Sequence, residues 1–476
     1  MNKYATILGS ALVVGATSCN FQSPGAGQET PDQPNIIIML LDDAGYADFG
    51  FMGSTDLKTP NIDRLAARSV VFTDAHVSAT VCGPSRAGLV TGRYQQRFGY
   101  ECNPAAEFEG MDKNEATIAD AMKLAGYHTS VFGKWHLGER PEFRPNQRGF
   151  DYFWGFLAGG RNYFHNPSDD QPGEVRSIRE NDVFTTFDGY LTDVLGDKLI
   201  DYIEEHKDNP FFVYWSTNAP HTPMQATEDD LALFEGHPRQ ILAAMMWSLD
   251  RTVGNIIDKL EQEGLLDNTL IFFLSDNGGA HNNQSSNGPL KGWKGNKYEG
   301  GCRVPFFVHW PASFQGGRRF DGLTSALDIF ATSIDAAGIN SDDLPNPLDG
   351  VSLLPYLKGE KQGNPHEQLF FRKDQMASIR QGDHKLIRVE GLGVRLYNLK
   401  ENLSETIDLT WEKPELLESL SAELEKWESE MMEPSWIEDE EWNEVTWMIH
   451  EDLFLNREIR VKNPNELVRY NRNRRD

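Results

Sequence analysis

Cysteine is scarce: the chain carries four, at positions 19, 82, 102 and 302, too few for the disulfide framework of a small secreted scaffold. Cys102 and Cys302 could pair, but read first as separate small core residues. Positive charge is also short, with 45 Lys and Arg against 72 Asp and Glu and a net charge of −27. That balance excludes nucleic acid or an anionic membrane as a partner held by bulk charge. An anionic substrate would have to be drawn in by a local cationic site. Long apolar runs are missing as well: "ATILGSALVVGA" (5–16) is too short to span a bilayer, and no other stretch comes closer. Internal repeats are absent.

What is present begins with an export pattern. Lys3, the short apolar run and the small residues before Cys19 have the layout of a secretory signal over 1–19. Processing at Cys19 would leave a lipidated N-terminus; cleavage nearby would leave a periplasmic or secreted protein. An outer-membrane-anchored lipoprotein touches the membrane through that lipid alone. A Gly/Pro/Ser/Gln-rich linker follows over 20–33.

From residue 34 the pattern is α/β. "PNIIIMLLDD", "TSVFGKWH", "FFVYWSTNAPH" and "TLIFFLSDNGG" are apolar strands ending in polar residues. Helical stretches such as "ILAAMMWSLDRTVGNIIDKLEQEG" alternate with them, and "TPNIDRLAARSVVF" opens with Thr59 as a cap and Pro60 at the first helical position. We expect a large, mostly parallel sheet sandwiched by helices over 34–365. Short strands ("QLFFR", "MASIRQGDHKLIRV", "VRLYNL") and one helix predict a smaller C-terminal antiparallel sheet over 366–432. The tail, 433–476, is acidic and Trp-rich, then basic; Trp436, Trp442 and Trp447 point to docking on the body or to a share in substrate binding.

In such sheets ligands sit beyond the carboxyl ends of the strands, and Asp42, Asp43, Lys134, His136, His221, Asp276 and Asn277 all fall there. Three carboxylates and an amide oxygen make a hard, all-oxygen set suited to Ca²⁺ or Mg²⁺ rather than zinc. Each pair alone has a plain reading: Asp-Asp can cap a loop, and Asp-Asn-Gly-Gly can be a turn. Two histidines with Lys134 and Lys294 opposite that set are harder to read as turns. Their expected meeting point is the start of the helix after Cys82, where free backbone N–H groups favour an anion. Arg86, one turn in, offers a fork suited to tetrahedral oxyanions.

The stretch "CGPSRAGLVTG" resembles the signature of the type I formylglycine-dependent sulfatases, and "LLDDAGYADFG", "TPNIDRLA", "GKWHLG", "APHTP", "SDNGG" and "LKGWKGNKYEGGCRVP" follow that family in order. The resemblance covers roughly residues 34–410 and implies an alkaline-phosphatase-like α/β fold. It implies that Cys82 is oxidised to formylglycine by a formylglycine-generating or anaerobic sulfatase-maturating enzyme guided by Pro84 and Arg86. It further implies one divalent cation, Ca²⁺ in preference to Mg²⁺, held by Asp42, Asp43, residue 82, Asp276 and Asn277. One hydroxyl of the hydrated aldehyde would attack sulfur. His221 with Lys294 would protonate the leaving oxygen, and His136 would take the second hydroxyl's proton to expel sulfate. Arg86 and Lys134 would hold formylglycine and the sulfate oxygens.

An exported, acidic sulfatase resembles those that desulfate extracellular polysaccharides. The expected substrate is a sulfated poly- or oligosaccharide, algal ulvan or carrageenan ahead of glycosaminoglycans. Arg161, His165, His281 and Asn282, in two polar loops, and Trp293, beside Lys294, are the candidate sugar contacts. The rival readings are a formylglycine-dependent phosphodiesterase or phosphonate hydrolase, and an inactive surface lipoprotein that only binds glycans.

Overall fold

The run NIIIMLL at Asn35–Leu41 forms a strand in which every residue is buried. Ile36, Ile38 and Leu40 enter one core layer and Ile37, Met39 and Leu41 the other. Side chains alternate across a strand, so a run that is apolar from Ile36 onward must be covered on both faces. Each such aliphatic side chain contributes about 1.5–3 kcal/mol of burial. The structure, a computed structural model, describes residues 33–103 and 110–473. The leader with Cys19, and the linker up to residue 32, lie outside the described residues.

Asn35–Leu41 sits mid-sheet between Thr269–Ser275 and Phe211–Ser216. The sheet has ten strands in the order Arg318–Phe320, Val70–Phe72, Phe306–His309, Thr269–Ser275, Asn35–Leu41, Phe211–Ser216, His128–Lys134, Tyr152–Phe156, Arg179–Glu180 and Val183–Phe184. The five strands from Thr269–Ser275 to Tyr152–Phe156 are mutually parallel, and antiparallel pairings appear only toward the edges. Helices Cys82–Thr91, Ile118–Leu124 and Asp328–Ala336 supply the core on one face. Leu191–His206, Gln240–Gln262 and Pro60–Ala66 cover the other. This is the alkaline-phosphatase-like arrangement the sequence predicts.

Register decides where the site falls. Leu41 pairs with Ser275, Leu40 with Ser216 and Gly133 with Ser216, so the central strands end level with one another. Asp42, Asp276 and Thr217 therefore emerge together, one residue beyond the pairing.

Local signals hold in most places. Thr117 caps Ile118–Leu124 with a capping box completed by Asp120, and Gly126 turns the chain at φ +81°. Thr59 departs from expectation. Pro60 does start its helix, but the Thr59 hydroxyl makes no cap bond. It accepts instead from the Gly50 N–H (3.0 Å) and donates to Asp63 (3.1 Å), because the preceding loop offers a nearer unpaired donor.

A separate antiparallel sheet comprises Gln368–Lys373, Met376–Gln381, His384–Val389 and Gly393–Asn398. Helix Pro414–Ser429 lays Leu420, Leu424 and Trp427 against its Ala377, Ile379, Leu386 and Leu396. Beyond it, Glu440–Phe454 and Pro464–Asn473 are helical. Trp436 is buried in the core of the main sheet, Trp447 is partly buried among the tail's own Val445, Met448, Val461 and Leu467, and Trp442 is exposed, so Trp436 is the tail tryptophan seen to dock on the body. Cys102 and Cys302 are buried free thiols. Among the described residues, no helix is long and apolar enough to cross a membrane.

Candidate active site

The strand ends deliver the acids. Asp42 and Asp43 follow Asn35–Leu41, Asp276 and Asn277 follow Thr269–Ser275, and all four side chains are removed from solvent. Asp43 sits at φ +66°, a left-handed backbone that turns it beside Asp42; its N–H donates to Asp276 Oδ1 at 3.3 Å. Its carbonyl accepts from Asn283 (3.0 Å) and from Ser285 (2.9 Å). Asn277 Nδ2 donates to Asp43 Oδ1 at 2.8 Å.

Cys82 opens the helix Cys82–Thr91, and its Sγ lies 3.4 Å from Asp42 Oδ1, 3.9 Å from Asp43 Oδ1 and 3.0 Å from Lys294 Nζ. Ligand atoms of Asp42, Asp43, Cys82 and His221 all lie within 4.8 Å of one another. Burial, reinforced by the Asp42 charge, pushes the Cys82 thiol up to about 12. As an unmodified thiol it would stay protonated and a poor nucleophile.

The cations interleave with the acids. Lys134, at the end of His128–Lys134, places Nζ 2.6 Å from Asp42 Oδ2. Lys294 Nζ lies 2.7 Å from Asp43 Oδ1. Burial alone would raise Asp42, but Lys134, His221, Arg86 and Lys294 together hold its carboxyl well below the usual range. For Asp276, burial and the neighbouring Asp42 charge prevail and push the carboxyl up to about 7. Burial lowers both histidines. His136 falls further beside Lys134 and Arg86, while the nearby Asp42 and Asp43 charges partly offset the fall at His221.

Arg86 differs from expectation. Its Nε donates to Asp276 Oδ2 at 3.0 Å, and its Nη1 reaches the Lys134 carbonyl (3.3 Å) and the Ser216 hydroxyl. The side chain is fully buried. Here the fork braces Asp276 against two strand ends instead of facing an incoming oxyanion, because a desolvated guanidinium takes the nearest carboxylate. The helix start is also less open than expected: the Gly83 N–H donates to Asn103 Oδ1 at 2.9 Å.

The two histidines differ in their surroundings. His221 Nε2 is 3.7 Å from Asp43 Oδ2, while its Nδ1 pairs with the Thr222 carbonyl at 2.6 Å. His136 lies deeper, at φ +58°, and its Nδ1 has no hydrogen-bond partner among the described residues. The loop after Tyr152–Phe156 passes over both. A Cβ on Gly159 would fall 2.7 Å from His136 Nε2, and one on Gly160 would fall 3.2 Å from His221 Cε1. Glycine here serves close approach.

The candidate sugar contacts separate. Arg161 is buried: its guanidinium is consumed by Asp170 (2.9 and 3.2 Å) and by the Asn162 and Arg176 carbonyls, and it stacks on Phe187. That corrects its assignment to substrate; it fastens the loop. His165 is half-exposed, 3.0 Å from Asp170. His281 and Asn282 are exposed, and His281 meets the Trp293 ring at 5.7 Å between centroids. A cavity of about 460 Å³ opens there, lined by Asp56, Arg239, His281, Gln284, Asn287 and Trp293, among others. Ser216, Asn103, Asn283 and Ser285 escaped the sequence reading. They are small polar residues in loops and strand ends, with no spacing that marks them; only the fold brings them to Arg86, Gly83 and Asp43.

The donor set fits a divalent cation. Asn277 Oδ1 is buried without a hydrogen-bond partner, an orphaned hard acceptor beside three carboxylates. Pro84, inside the Cys82 helix, is buried.

Comparison with known proteins places this geometry. A family model described as Sulfatase matches residues 34–339, and one described as N-sulphoglucosamine sulphohydrolase, C-terminal, matches 292–431. Human N-acetylgalactosamine-6-sulfatase is 32% identical over 382 residues, covering 75% of this chain and 71% of the human protein. The uncharacterized sulfatase YdeN of Escherichia coli is 34% identical over 397 residues, covering 71% and 69%. The crystal structure of Ps i-CgsB superposes with TM-score 0.81 at 36% identity, covering 89% of this chain and 99% of that one. The same protein has been solved in complex with k-i-k-neocarrahexaose.

Proposed function

The chain belongs to the sulfatase family and is a sulfuric ester hydrolase, and we propose that it removes sulfate from an extracellular sulfated carbohydrate, a carrageenan or an oligosaccharide derived from one. The likeness to a structure solved with k-i-k-neocarrahexaose favours carrageenan over ulvan and over glycosaminoglycans. Trp293 and the cavity beside it supply an aromatic face and polar rim of the kind that receives a sugar ring. Export through residues 1–19, as a lipoprotein or a cleaved protein, would put the enzyme where such polymers are found.

Residue 82, as formylglycine, would supply a hydrated aldehyde with two hydroxyls, one to attack sulfur and one whose deprotonation releases sulfate. A serine there lacks the second hydroxyl. A divalent cation, proposed as Ca²⁺, would be held by Asp42, Asp43, Asp276, Asn277 and residue 82 and would supply positive charge against the sulfate oxygens. The remaining work falls to the chain's own side chains. Lys134, bonded to Asp42, keeps that acid ionised. Arg86 fixes Asp276.

One observation carries the proton assignments. The side chains of His221 and Lys294 are 20% and 19% exposed, whereas those of Asp42, Lys134 and Arg86 are at 0%. A leaving alcohol must exit toward solvent, so the two accessible groups are the ones placed to protonate it. His136, more buried, with a lowered pKa and an Nδ1 that has no hydrogen-bond partner among the described residues, is the base that would take the second hydroxyl's proton.

Matched sulfate and phosphate monoesters and diesters of one phenol, with sulfated carrageenan oligosaccharides, test the proposal. Sulfate release from both the aryl and the sugar ester, with an aldehyde at residue 82 by mass spectrometry, is the expected result. Preference for the phosphodiester, or turnover with an unmodified thiol at 82, would overturn it.

A further inference from the structure

Tyr100 lies outside every motif, yet it is fully buried and reaches the site from behind. Its hydroxyl donates to the carbonyl of His136 at 3.0 Å. Its ring meets Trp436 edge-on, centroids 4.8 Å apart. Trp436 arrives from the C-terminal segment after helix Pro414–Ser429, and its Nε1 donates to the Cys102 carbonyl at 3.1 Å. The Ser435 N–H donates to the Gly99 carbonyl at 2.9 Å. Segment 99–102 is thus held at three points by chain that lies more than 330 residues further on. One residue later, Asn103 caps the Gly83 N–H at the start of the Cys82 helix.

His136 needs such support. At φ +58° it occupies the left-handed region, which is uncommon for any residue with a Cβ. Its Nδ1 makes no hydrogen bond among the described residues, so nothing at that nitrogen steers the ring. Two backbone bonds fix the residue: its N–H to the Leu157 carbonyl at 3.1 Å, and its carbonyl to Tyr100. We infer that Tyr100, clamped by Trp436, is a positioning residue for His136, and that the C-terminal tail thereby serves the reaction without touching substrate. The inference rests on the role proposed for His136.

Buried tyrosines usually find some partner for their hydroxyl, so the test must separate positioning from packing. Tyr100→Phe keeps the ring against Trp436 and removes only the hydroxyl. With residue 82 equally converted, kcat on an aryl sulfate should fall about three- to ten-fold, the size of one lost hydrogen bond. KM should fall in step with kcat, leaving kcat/KM unchanged, and quenched enzyme should carry more sulfate bound at residue 82, because only the release step depends on His136. Trp436→Leu should move kcat in the same direction. Wild-type kcat in Tyr100→Phe overturns the inference, as does a raised KM with no extra bound sulfate. If the wild type hydrolyses no sulfate ester, the proposed function falls, and a crystal structure of Tyr100→Phe then decides this point. His136 leaving its left-handed backbone supports the strut; an unmoved backbone and ring refute it.

Discussion

Gly159→Ala perturbs the site by a single methyl group. The added Cβ would stand 2.7, 2.8 and 3.3 Å from Nε2, Cε1 and Cδ2 of His136. An unstrained contact needs about 3.5 Å, so roughly 0.8 Å must be found somewhere. The loop cannot swing away freely, since the Leu157 and Ala158 N–H groups both donate to the Val175 carbonyl at 3.1 Å. The His136 backbone is pinned from both sides, so the imidazole is the part that yields. Misplacing a reacting group by about 1 Å costs on the order of 10²-fold, and a shift just short of that should cost roughly 30- to 100-fold in kcat. Stability should drop by about 1–3 kcal/mol, the range for overpacking. The assay is initial-rate hydrolysis of an aryl sulfate, normalised to the aldehyde content at residue 82, with thermal melts alongside. A folded Gly159→Ala with kcat within about two-fold of wild type would refute the argument that His136 must keep this pose.

Four other outcomes are expected. Cys82→Ser should fold with a near-wild-type melting temperature yet show no sustained turnover, with activity and intact mass as the checks. Chelation should remove activity and lower the melting temperature by mass action, and Ca²⁺ should restore both. His221→Ala should slow a sulfated oligosaccharide by roughly 10²–10⁴-fold and an aryl sulfate far less, because only the poor leaving group needs its proton; equal losses would reassign the histidine. His366 lies 2.6 Å from Asp328, and although burial lowers its pKa, that carboxylate raises it above 6.5 overall. A raised folded-state value gives stability that is complete below pH 6.5 and lost as pH rises through the folded pKa. The advantage of wild type over His366→Gln in denaturant melts should therefore shrink between acidic and alkaline pH.

The sheet was legible because its strands announce themselves: "NIIIMLL" and "TLIFFLS" carry polar residues only at their ends, around unbroken apolar interiors, which leaves few alternatives to burial on both faces. The acids were legible for the same reason, since a carboxylate directly after such a run must sit at a strand end. What stayed hidden depended on where side chains point. Arg161 and His165 look alike as loop polars, but one is spent on Asp170 and two carbonyls while the other is half-exposed. Arg86 reads as an oxyanion fork until the register places Asp276 and Ser216 against it. Tyr100 and Trp436 are distant in sequence, and no periodicity links them; only packing of the tail on the body makes them neighbours.

The charge of the centre accounts for how so acidic a chain could hold an anionic ester. Asp42, Asp43 and Asp276 face Arg86, Lys134 and Lys294, three formal negatives against three positives within one contact network. Left there, the centre is close to neutral and offers a sulfate no net attraction, while the chain as a whole carries −27. Those remote charges act through water and are screened beyond about 8–10 Å. Charges inside a desolvated cluster are not screened in that way, so the local sum decides binding. A divalent cation held by the donor set would turn that neutral centre positive where the sulfate would rest. The acidic surface then works against loose polyanion binding elsewhere, and the buried cluster is the place where an anion gains by staying.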